Sequence, residues 1–233
     1  MKKHLIHKLM NKLNIPVREE KIARLNLHER GKEIEEIVQK IIELPENFHI
    51  AGSVPGIVLR GIVKHCGTSI ANSIETGSGR TTLLFSHLSK SHKVFAVEWN
   101  NKSITSVRNS ELLNKKSLEF IEGPTQLTLR RYKFKNKLQA VLLDGPHGYP
   151  FPDIEYYCVY PHIENEGILI VDDIHIPTVN NLFSFLREDD MWDLMEVIHN
   201  TAFFKRTNAP LFNPYGDGWQ LQEYNSRRFP VKH

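Results

Sequence analysis

Acidic side chains and one histidine come at the ends of two apolar segments that the sequence predicts as strands. Asp144 closes one segment, the pair Asp172 and Asp173 closes another, and His147 follows Asp144 by three residues. Three carboxylates held close together repel one another and need a cation or a shared proton. Carboxylate oxygens are preferred ligands of a hard divalent ion such as Mg²⁺, and an imidazole of near-neutral pKa can accept a hydroxyl proton. These residues therefore predict chemistry on a hydroxyl group.

Adjacent strands would bring the three carboxylates together. Parallel neighbours lie about 4.8 Å apart, and their carboxyl ends meet at one edge of a sheet. We therefore predict a divalent-metal site formed by Asp144, Asp172 and Asp173, with water and substrate oxygens completing six ligands. A bound metal would lower the pKa of a substrate hydroxyl and fix its oxygen in place. The alternative is a site without metal, in which Asp144 contacts a cofactor and one of the paired aspartates caps a turn.

His147 is the candidate general base. Gly145 and Pro146 form a turn that can carry the imidazole over a bound substrate, so we predict His147 and Asp144 as the catalytic residues. The alternative is a loop histidine hydrogen-bonded to a neighbouring carboxylate, and His175 is the second candidate base. Both histidines with one aspartate would also match a two-histidine, one-carboxylate iron site. We favour this iron site much less than the divalent-metal site, because an iron site does not require the glycine turn that is described next.

A glycine turn follows an earlier apolar segment. Residues 75–79, ETGSG, contain two glycines one residue apart, which let the backbone turn sharply and let a ligand approach the main chain. Glu75 beside this turn would repel a pyrophosphate, and it suits a ligand with a cationic amine. Glu98 ends the next apolar segment, where an acid can accept the hydroxyl hydrogens of a ribose. The pattern predicts a nucleoside-containing cofactor.

Apolar segments of strand length alternate with helical segments along most of the chain. The expected strands are 69–76, 93–100, 117–123, 138–145 and 167–174, and the expected helices are 57–66, 81–88, 101–114, 154–163 and 180–189. Parallel strands need crossover helices of this kind, whereas the segments 194–200 and 201–207 can pair as an antiparallel hairpin. The sequence therefore predicts an α/β fold with a mostly parallel sheet and helices on both faces.

Five motifs in this order resemble the class I S-adenosylmethionine-dependent methyltransferases. IETGSGRTT, VFAVEWN and FIEGPTQ resemble the three successive cofactor motifs of that superfamily. LLDGPHGYPFPDIEYY and GILIVDDIHIPT, followed by NNLFSFL and TAFFKR, resemble its methyltransferase domain 24 branch, and also the metal-dependent O-methyltransferases of catechols and sugars. The resemblance extends over residues 69–207. It implies a Rossmann-like, mostly parallel sheet of seven strands in the order 3-2-1-4-5-7-6.

The resemblance also implies a cofactor, S-adenosylmethionine, and a reaction. The implied cofactor-binding residues are Glu75, Gly77, Ser78, Gly79, Glu98, Gly123, Pro124 and Asp144. The glycine turn would line the methionine part, Glu98 would hold the ribose, and Gly123 with Pro124 would edge the adenine. The implied reaction is O-methylation of a small hydroxylated molecule, a sugar or a phenol, assisted by Mg²⁺ or another divalent metal.

Residues 1–50 lie outside the resemblance and are predicted as a helical extension of a methyltransferase domain over residues 51–233. A helix is expected at 30–43. Residues 1–18 contain five basic residues and no acid, and their apolar residues recur at helical spacing. Such an amphipathic helix can touch an acidic membrane surface weakly, but we favour docking on its own domain or on a second subunit of a homo-oligomer.

Composition excludes several other classes. The chain has 233 residues and a formal net charge of +3, which is too small to indicate binding to nucleic acid. No apolar run approaches the roughly 20 residues of a membrane-spanning helix, and no secretory signal is expected. Two cysteines exclude a disulfide framework and favour a cytoplasmic location. The expected partner is a small-molecule acceptor, and the alternative functions are a dinucleotide-dependent oxidoreductase and a non-enzymatic cofactor-binding scaffold.

Overall fold

The computed structural model describes residues 29–48, 54–97, 103–212 and 215–229. The amphipathic helix predicted in residues 1–18 and the candidate ribose ligand Glu98 both lie outside these ranges. Within the described ranges, no helix has the length and the apolar character needed to cross a membrane.

One seven-stranded sheet forms the centre of the fold. Its strands are β1 (Ile70–Thr76), β2 (Ser89–Ala96), β3 (Leu118–Glu122), β4 (Leu138–Leu143), β5 (Ile163–Val171), β6 (Trp192–Ile198) and β7 (Thr201–Arg206). They lie in the order β3-β2-β1-β4-β5-β7-β6, which confirms the order implied by the sequence resemblance. β1 to β5 pair in parallel, whereas β7 pairs antiparallel with both β5 and β6, so the predicted hairpin is also confirmed.

Helices connect the parallel strands. They are α1 (Glu29–Ile42), α2 (Gly56–Cys66), α3 (Arg80–Leu88), α4 (Ser103–Arg108), α5 (Thr125–Arg131), α6 (Phe151–Val159), α7 (Pro177–Leu186) and α8 (Glu223–Arg228). α3 joins β1 to β2 and α6 joins β4 to β5, so the chain returns to the amino edge of the sheet through a helix each time. The carboxyl ends of β1 to β5 therefore share one edge, and the loops that follow them build the candidate site.

Two hydrophobic clusters hold the helices against opposite faces of the sheet. In β4, Val141 and Leu143 belong to the cluster that includes α7, whereas Leu142 belongs to the cluster that includes α1, α2 and α3. Ile34, Val38 and Ile41 of α1 are fully buried, and Arg80 of α3 donates a hydrogen bond of 2.6 Å to the carbonyl oxygen of Leu44 just beyond α1. The described part of the predicted extension thus shares the core of the sheet. A domain boundary at residue 50 stays a prediction.

The second strand begins earlier than the sequence predicts. β2 starts at Ser89 rather than at residue 93, because polar residues in its first half find partners in the core. His92 is fully buried, with its ring nitrogens 2.8 Å from Ser73 Oγ and 3.2 Å from Glu75 Oε1, and it stacks on Phe85. A buried polar group that keeps its hydrogen bonds costs little free energy, and a hydropathy pattern does not reveal such partners.

Two helices also differ from the prediction. The helix expected at 101–114 is described only as the shorter α4, and α5 was not predicted. α5 has the sequence TQLTLRR, in which Leu129 is buried but Leu127 is 47 % exposed. A single buried leucine produces no helical periodicity, and α5 is positioned by its packing against α6 instead.

Candidate active site

Gly77 brings the end of β1 against the end of β4. Its φ of 84° lies in the left-handed region that favours glycine. A Cβ at this position would lie 2.3 Å from the backbone carbonyl oxygen of Asp144, so no other residue fits without a shift of the backbone. The N–H of Gly77 donates to the carbonyl oxygen of Phe95 at 2.9 Å. The ends of β1, β2 and β4 therefore meet at this glycine.

Ser78 and Gly79 complete the turn ahead of α3. The N–H of Gly79 donates to Thr82 Oγ1 at 2.9 Å, which stabilises the first turn of α3. Ser78 Oγ is buried and has no hydrogen-bond partner among the described residues. A buried hydroxyl of this kind is costly unless a ligand or a water molecule satisfies it. The turn thus offers a free polar group beside a helix N-terminus, and its contact with the methionine part of a cofactor stays a prediction.

Glu75 lies inside the core rather than on the surface of the turn. The residue is fully buried, Thr81 Oγ1 donates to its Oε2 at 2.7 Å, and His92 Nε2 lies 3.2 Å from its Oε1. These contacts attach the end of β1 to the first turn of α3 and to β2. The geometry gives Glu75 a positioning role for the glycine turn, while its direct contact with a cofactor stays a prediction.

Gly123 and Pro124 lie where β3 ends, beside the end of β2. The N–H of Gly123 donates to the carbonyl oxygen of Ala96 at 3.0 Å, and its φ of 134° is one that other residues rarely adopt. Pro124 immediately precedes α5. Both residues are thus at the same edge as the glycine turn, and their contact with an adenine stays a prediction.

Asp144, His147 and Asp173 converge where β4 and β5 end. His147 Nε2 lies 3.2 Å from Asp173 Oδ2 and 3.8 Å from Asp144 Oδ1. Each residue offers one ligand atom, and the three atoms lie within 4.8 Å of one another. All three side chains are partly exposed, so a ligand can reach them. One ring nitrogen and two carboxylate oxygens at this spacing form a candidate site for a divalent cation.

Asp172 lies beside this group, and one oxygen of its carboxylate is hydrogen-bonded to a residue outside the group. Thr201 Oγ1, at the start of β7, donates to Asp172 Oδ1 at 2.5 Å. Asp173 has a left-handed φ of 54°, and its Oδ1 lies 3.5 Å from His175 Nδ1. The structure thus brings together two of the three predicted metal ligands, adds His147 to them, and places His175 at the margin.

Burial and charge shift the pKa values within this group. Loss of solvation raises the pKa of Asp144 to about 7. The neighbouring carboxylates of Asp144 and Asp173 raise the pKa of His147 to about 10, and His147 in turn lowers the pKa of Asp173. His147 is therefore protonated at neutral pH in this arrangement. It can accept a proton only when another cation offsets the two carboxylates.

Glu155 of α6 is a buried acid for which the sequence predicts no role. Only 1 % of the residue is exposed, and the Thr76 hydroxyl donates to its Oε2 at 2.8 Å. The same hydroxyl accepts the N–H of Asp144 at 3.0 Å, and a Cβ at Gly145 would lie 2.1 Å from Glu155 Oε1. Glu155 therefore supports the loop that carries Asp144 and His147. The signal in the sequence that could have revealed this role is an acidic residue on the face of α6 whose other residues are buried.

The substitution Glu155→Gln is expected to change how stability depends on pH. Burial raises the pKa of Glu155 to about 7 in the folded protein, from an ordinary value of 4.5. The folded state binds more protons than the unfolded state between these values, so this residue lowers the free energy of unfolding as the pH rises through them. Glutamine does not titrate. From about pH 4 to about pH 8, the stability of the variant relative to the wild type should rise by up to about 3 kcal/mol.

Urea unfolding of both proteins at several pH values measures this difference. A variant that differs from the wild type by the same free energy at every pH would contradict the assignment of a raised pKa to Glu155.

Of the comparisons with known proteins, only the comparison with solved structures finds matches to this chain. No protein-family profile matches it, and no curated protein matches its sequence. The O-methyltransferase NovP superposes with a TM-score of 0.58, covering 77 % of this chain and 100 % of NovP at 14 % identity. An O-methyltransferase from Bacillus cereus in complex with SAH superposes with a TM-score of 0.53. The match covers 87 % of this chain and 97 % of the other at 12 % identity. TomG from Streptomyces achromogenes, an O-methyltransferase in complex with SAM, superposes with a TM-score of 0.52. The match covers 80 % of this chain and 93 % of TomG at 14 % identity.

These likenesses extend along nearly the whole of each solved chain, so they concern the complete sheet and its helices. Identities of 12 % and 14 % establish a common fold and leave the chemistry to be argued from the residues. The chain therefore has the fold of the class I S-adenosylmethionine-dependent methyltransferases.

Proposed function

We propose that this protein transfers the methyl group of S-adenosylmethionine (SAM) to a hydroxyl oxygen of a small molecule, a sugar or a phenol. The observation that carries the proposal is the convergence of Asp144, His147 and Asp173 at the end of the sheet that also holds the glycine turn. The fold supports it, because two solved O-methyltransferases of this fold contain SAH (S-adenosylhomocysteine) or SAM.

The glycine turn fits the methionine part of the cofactor. Ser78 Oγ, buried and without a partner among the described residues, can bond to a polar group there, and the N-terminus of α3 favours a carboxylate. Gly77 keeps the main chain open to close approach. The bound cofactor would supply a methyl group on a sulfonium, which is an electrophile that needs no further activation. The residues of the chain have only to orient the acceptor and handle its proton.

The carboxylates of Asp144 and Asp173 fit a divalent metal, with His147 beside them. They supply the negative charge and the oxygen atoms that Mg²⁺ or Mn²⁺ prefers, and the His147 imidazole stays unbound so that it can accept a proton. A metal ion held there would supply positive charge that lowers the pKa of an acceptor hydroxyl and of the His147 imidazolium.

His147 is the group that takes the hydroxyl proton in this proposal. With Nε2 held beside Asp173, Nδ1 is the ring nitrogen left to accept a proton. Asp144 and Asp173 then stabilise the imidazolium that forms, as their contacts already raise the pKa of His147. Glu155 and Thr76 hold the Asp144 main chain, so the loop that carries His147 keeps its position during the transfer.

Calorimetry tests the cofactor assignment, with SAH and NADH as the probes. SAH should bind and NADH should not. Glu98→Ala should weaken SAH on the order of 100-fold or more, since it removes two hydrogen bonds to a charged acceptor, each worth about 1.5–3 kcal/mol. Glu119→Ala, which changes an exposed acid of β3, is the matched control and should bind like the wild type. NADH binding in place of SAH would support an oxidoreductase instead.

Product analysis tests the methylated atom. The protein is incubated with SAM and either catechol, a methyl glycoside or a primary amine, and SAH release is measured for each. The proposal expects release with a hydroxylated acceptor and a methyl ether in the product. Turnover with the amine alone would contradict O-methylation while leaving SAM binding intact.

A further inference from the structure

The amino edge of the sheet carries lysines that have no acidic partner. Five exposed lysines form this surface, which we name the lysine face: Lys90, Lys115, Lys116, Lys133 and Lys135. No carboxylate of the described ranges lies within ion-pair distance of any of them. By contrast, Arg60, Lys64 and Arg108 elsewhere in the fold each form an ion pair with a glutamate. Among the residues that the structure describes, the lysines of this face are thus left without ion pairs.

Parallel pairing places two parts of the lysine face side by side. Residues at the beginnings of β2 and β3 lie at the same edge of the sheet, because the two strands are parallel. His92 pairs with Leu118, so Lys90 at the start of β2 is level with Lys116 just before β3. These two lysines therefore lie on neighbouring strands at the amino edge.

The loop before β4 adds the other lysines at that edge. Lys133 and Lys135 line an open cavity of about 410 Å³ together with Lys93 of β2. Lys93 is bound to Glu119 at 2.6 Å, so the acid nearest to this cavity is already paired. The lysine face consequently extends across the starts of β3, β2 and β4, at the edge opposite to the candidate active site.

We propose that the lysine face docks this protein on an anionic phospholipid surface. Clusters of four to eight lysines or arginines are typical of segments that bind acidic lipid headgroups, and each lysine near the surface adds about fivefold to the affinity.

The chain that precedes α1 supports the same partner. α1 begins beside this edge, since Arg30 in its first turn donates to the carbonyl oxygen of His87 at the end of α3, directly before β2. Residues 1–18 contain five basic residues, no acid and apolar residues at helical spacing. That composition is typical of segments that bind the surface of an anionic membrane.

Nucleic acid is the less favoured partner. Proteins that bind single strands present exposed aromatic rings for stacking between their basic residues. Tyr132 and Phe134, which alternate with the lysines before β4, are packed against Phe95 of the core, with ring centroids 5.2 Å and 6.4 Å away. This packing partly buries both rings, so they offer less stacking surface than free rings would. The lysine face therefore offers mainly charge.

Co-sedimentation of the full chain with lipid vesicles tests the proposal. The probes are vesicles of phosphatidylcholine alone and vesicles in which about a third of the lipid is phosphatidylglycerol, at about 0.1 M and about 0.5 M salt. We expect binding to the anionic vesicles at low salt, little binding to the neutral vesicles, and a marked loss at high salt, because the charges are exposed and screened. Equal binding to both kinds of vesicle would overturn the proposal, as would no binding to either.

A triple variant, Lys90→Gln, Lys133→Gln and Lys135→Gln, assigns the binding to this face. It should weaken the affinity for anionic vesicles on the order of 100-fold, about fivefold for each lysine. The matched control, Lys40→Gln, Lys205→Gln and Arg227→Gln, removes three cations outside the face and should stay within a few-fold of the wild type. SAH affinity of both variants should be unchanged, since none of these residues contacts the candidate site, and thermal melts check that both variants remain folded.

Two outcomes would overturn the assignment. A triple variant that binds anionic vesicles like the wild type would show that the lysine face does not dock there. A short single-stranded RNA that binds more tightly than the vesicles, with the same loss in the triple variant, would assign the face to nucleic acid.

Discussion

His147→Ala is expected to lower kcat by about 10²–10⁴-fold, the contribution of a positioned general base. A neutral hydroxyl is a weak nucleophile, and His147 is the imidazole that the structure places against both Asp144 and Asp173. Affinity for SAH should stay near that of the wild type, because the glycine turn and α3 are unchanged. Initial rates with SAM and the hydroxylated acceptor, combined with calorimetry of SAH, measure the two quantities.

His175→Ala is the matched control for this prediction. His175 also contacts Asp173, at 3.5 Å, but it lies away from Asp144. We expect its kcat to stay within about tenfold of the wild type, since a residue at the margin of the group lacks the contribution of a positioned base. Wild-type kcat in His147→Ala would remove His147 as the base and make His175 the better candidate. Loss of Mn²⁺ binding in His147→Ala would instead identify His147 as a metal ligand.

Removal of divalent metal is expected to abolish turnover, and Asp144→Asn is expected to prevent its recovery. Asp144 supplies one of the two carboxylates of the group, and asparagine removes its negative charge while keeping its shape. Loss of residues that only support metal ligands costs about 10–100-fold in metal affinity, so loss of a ligand should exceed that range. Mn²⁺ titration followed by calorimetry gives the affinity directly, without an acceptor.

Asp172→Asn separates the candidate metal group of Asp144, His147 and Asp173 from the ligand set predicted from sequence. Asp172 is outside the group whose ligand atoms lie within 4.8 Å of one another, and its Oδ1 accepts a hydrogen bond from Thr201, so this variant should retain Mn²⁺ affinity within a few-fold of the wild type. An Asp172→Asn variant that loses Mn²⁺ as completely as Asp144→Asn would favour the predicted set of Asp144, Asp172 and Asp173. Full turnover after exhaustive chelation would exclude both sets.

Local pattern was enough to predict the order of strands and helices along most of the chain. Buried parallel strands are continuous apolar runs in a sequence. Residue 77 has a left-handed φ, which favours the glycine that the sequence has at this position. The motifs then implied the order of the strands, which the sheet confirms. The pattern failed at β2 and α5, where burial depends on partners from other elements, as with His92 between Ser73 and Glu75.

The sequence by itself determined the fold class, the turn at Gly77 and the edge of the sheet at which Asp144, His147 and Asp173 would lie. Only the tertiary structure decided which of these side chains meet. In the structure, Asp172 accepts a hydrogen bond from Thr201, Glu75 is buried against Thr81, and Glu155 lies beneath the loop after β4. The physical reason is that a strand's position in a sheet follows from local backbone and burial patterns. A side chain's direction and partners depend on residues far away in sequence, as Asp172 and Thr201 show across β5 and β7.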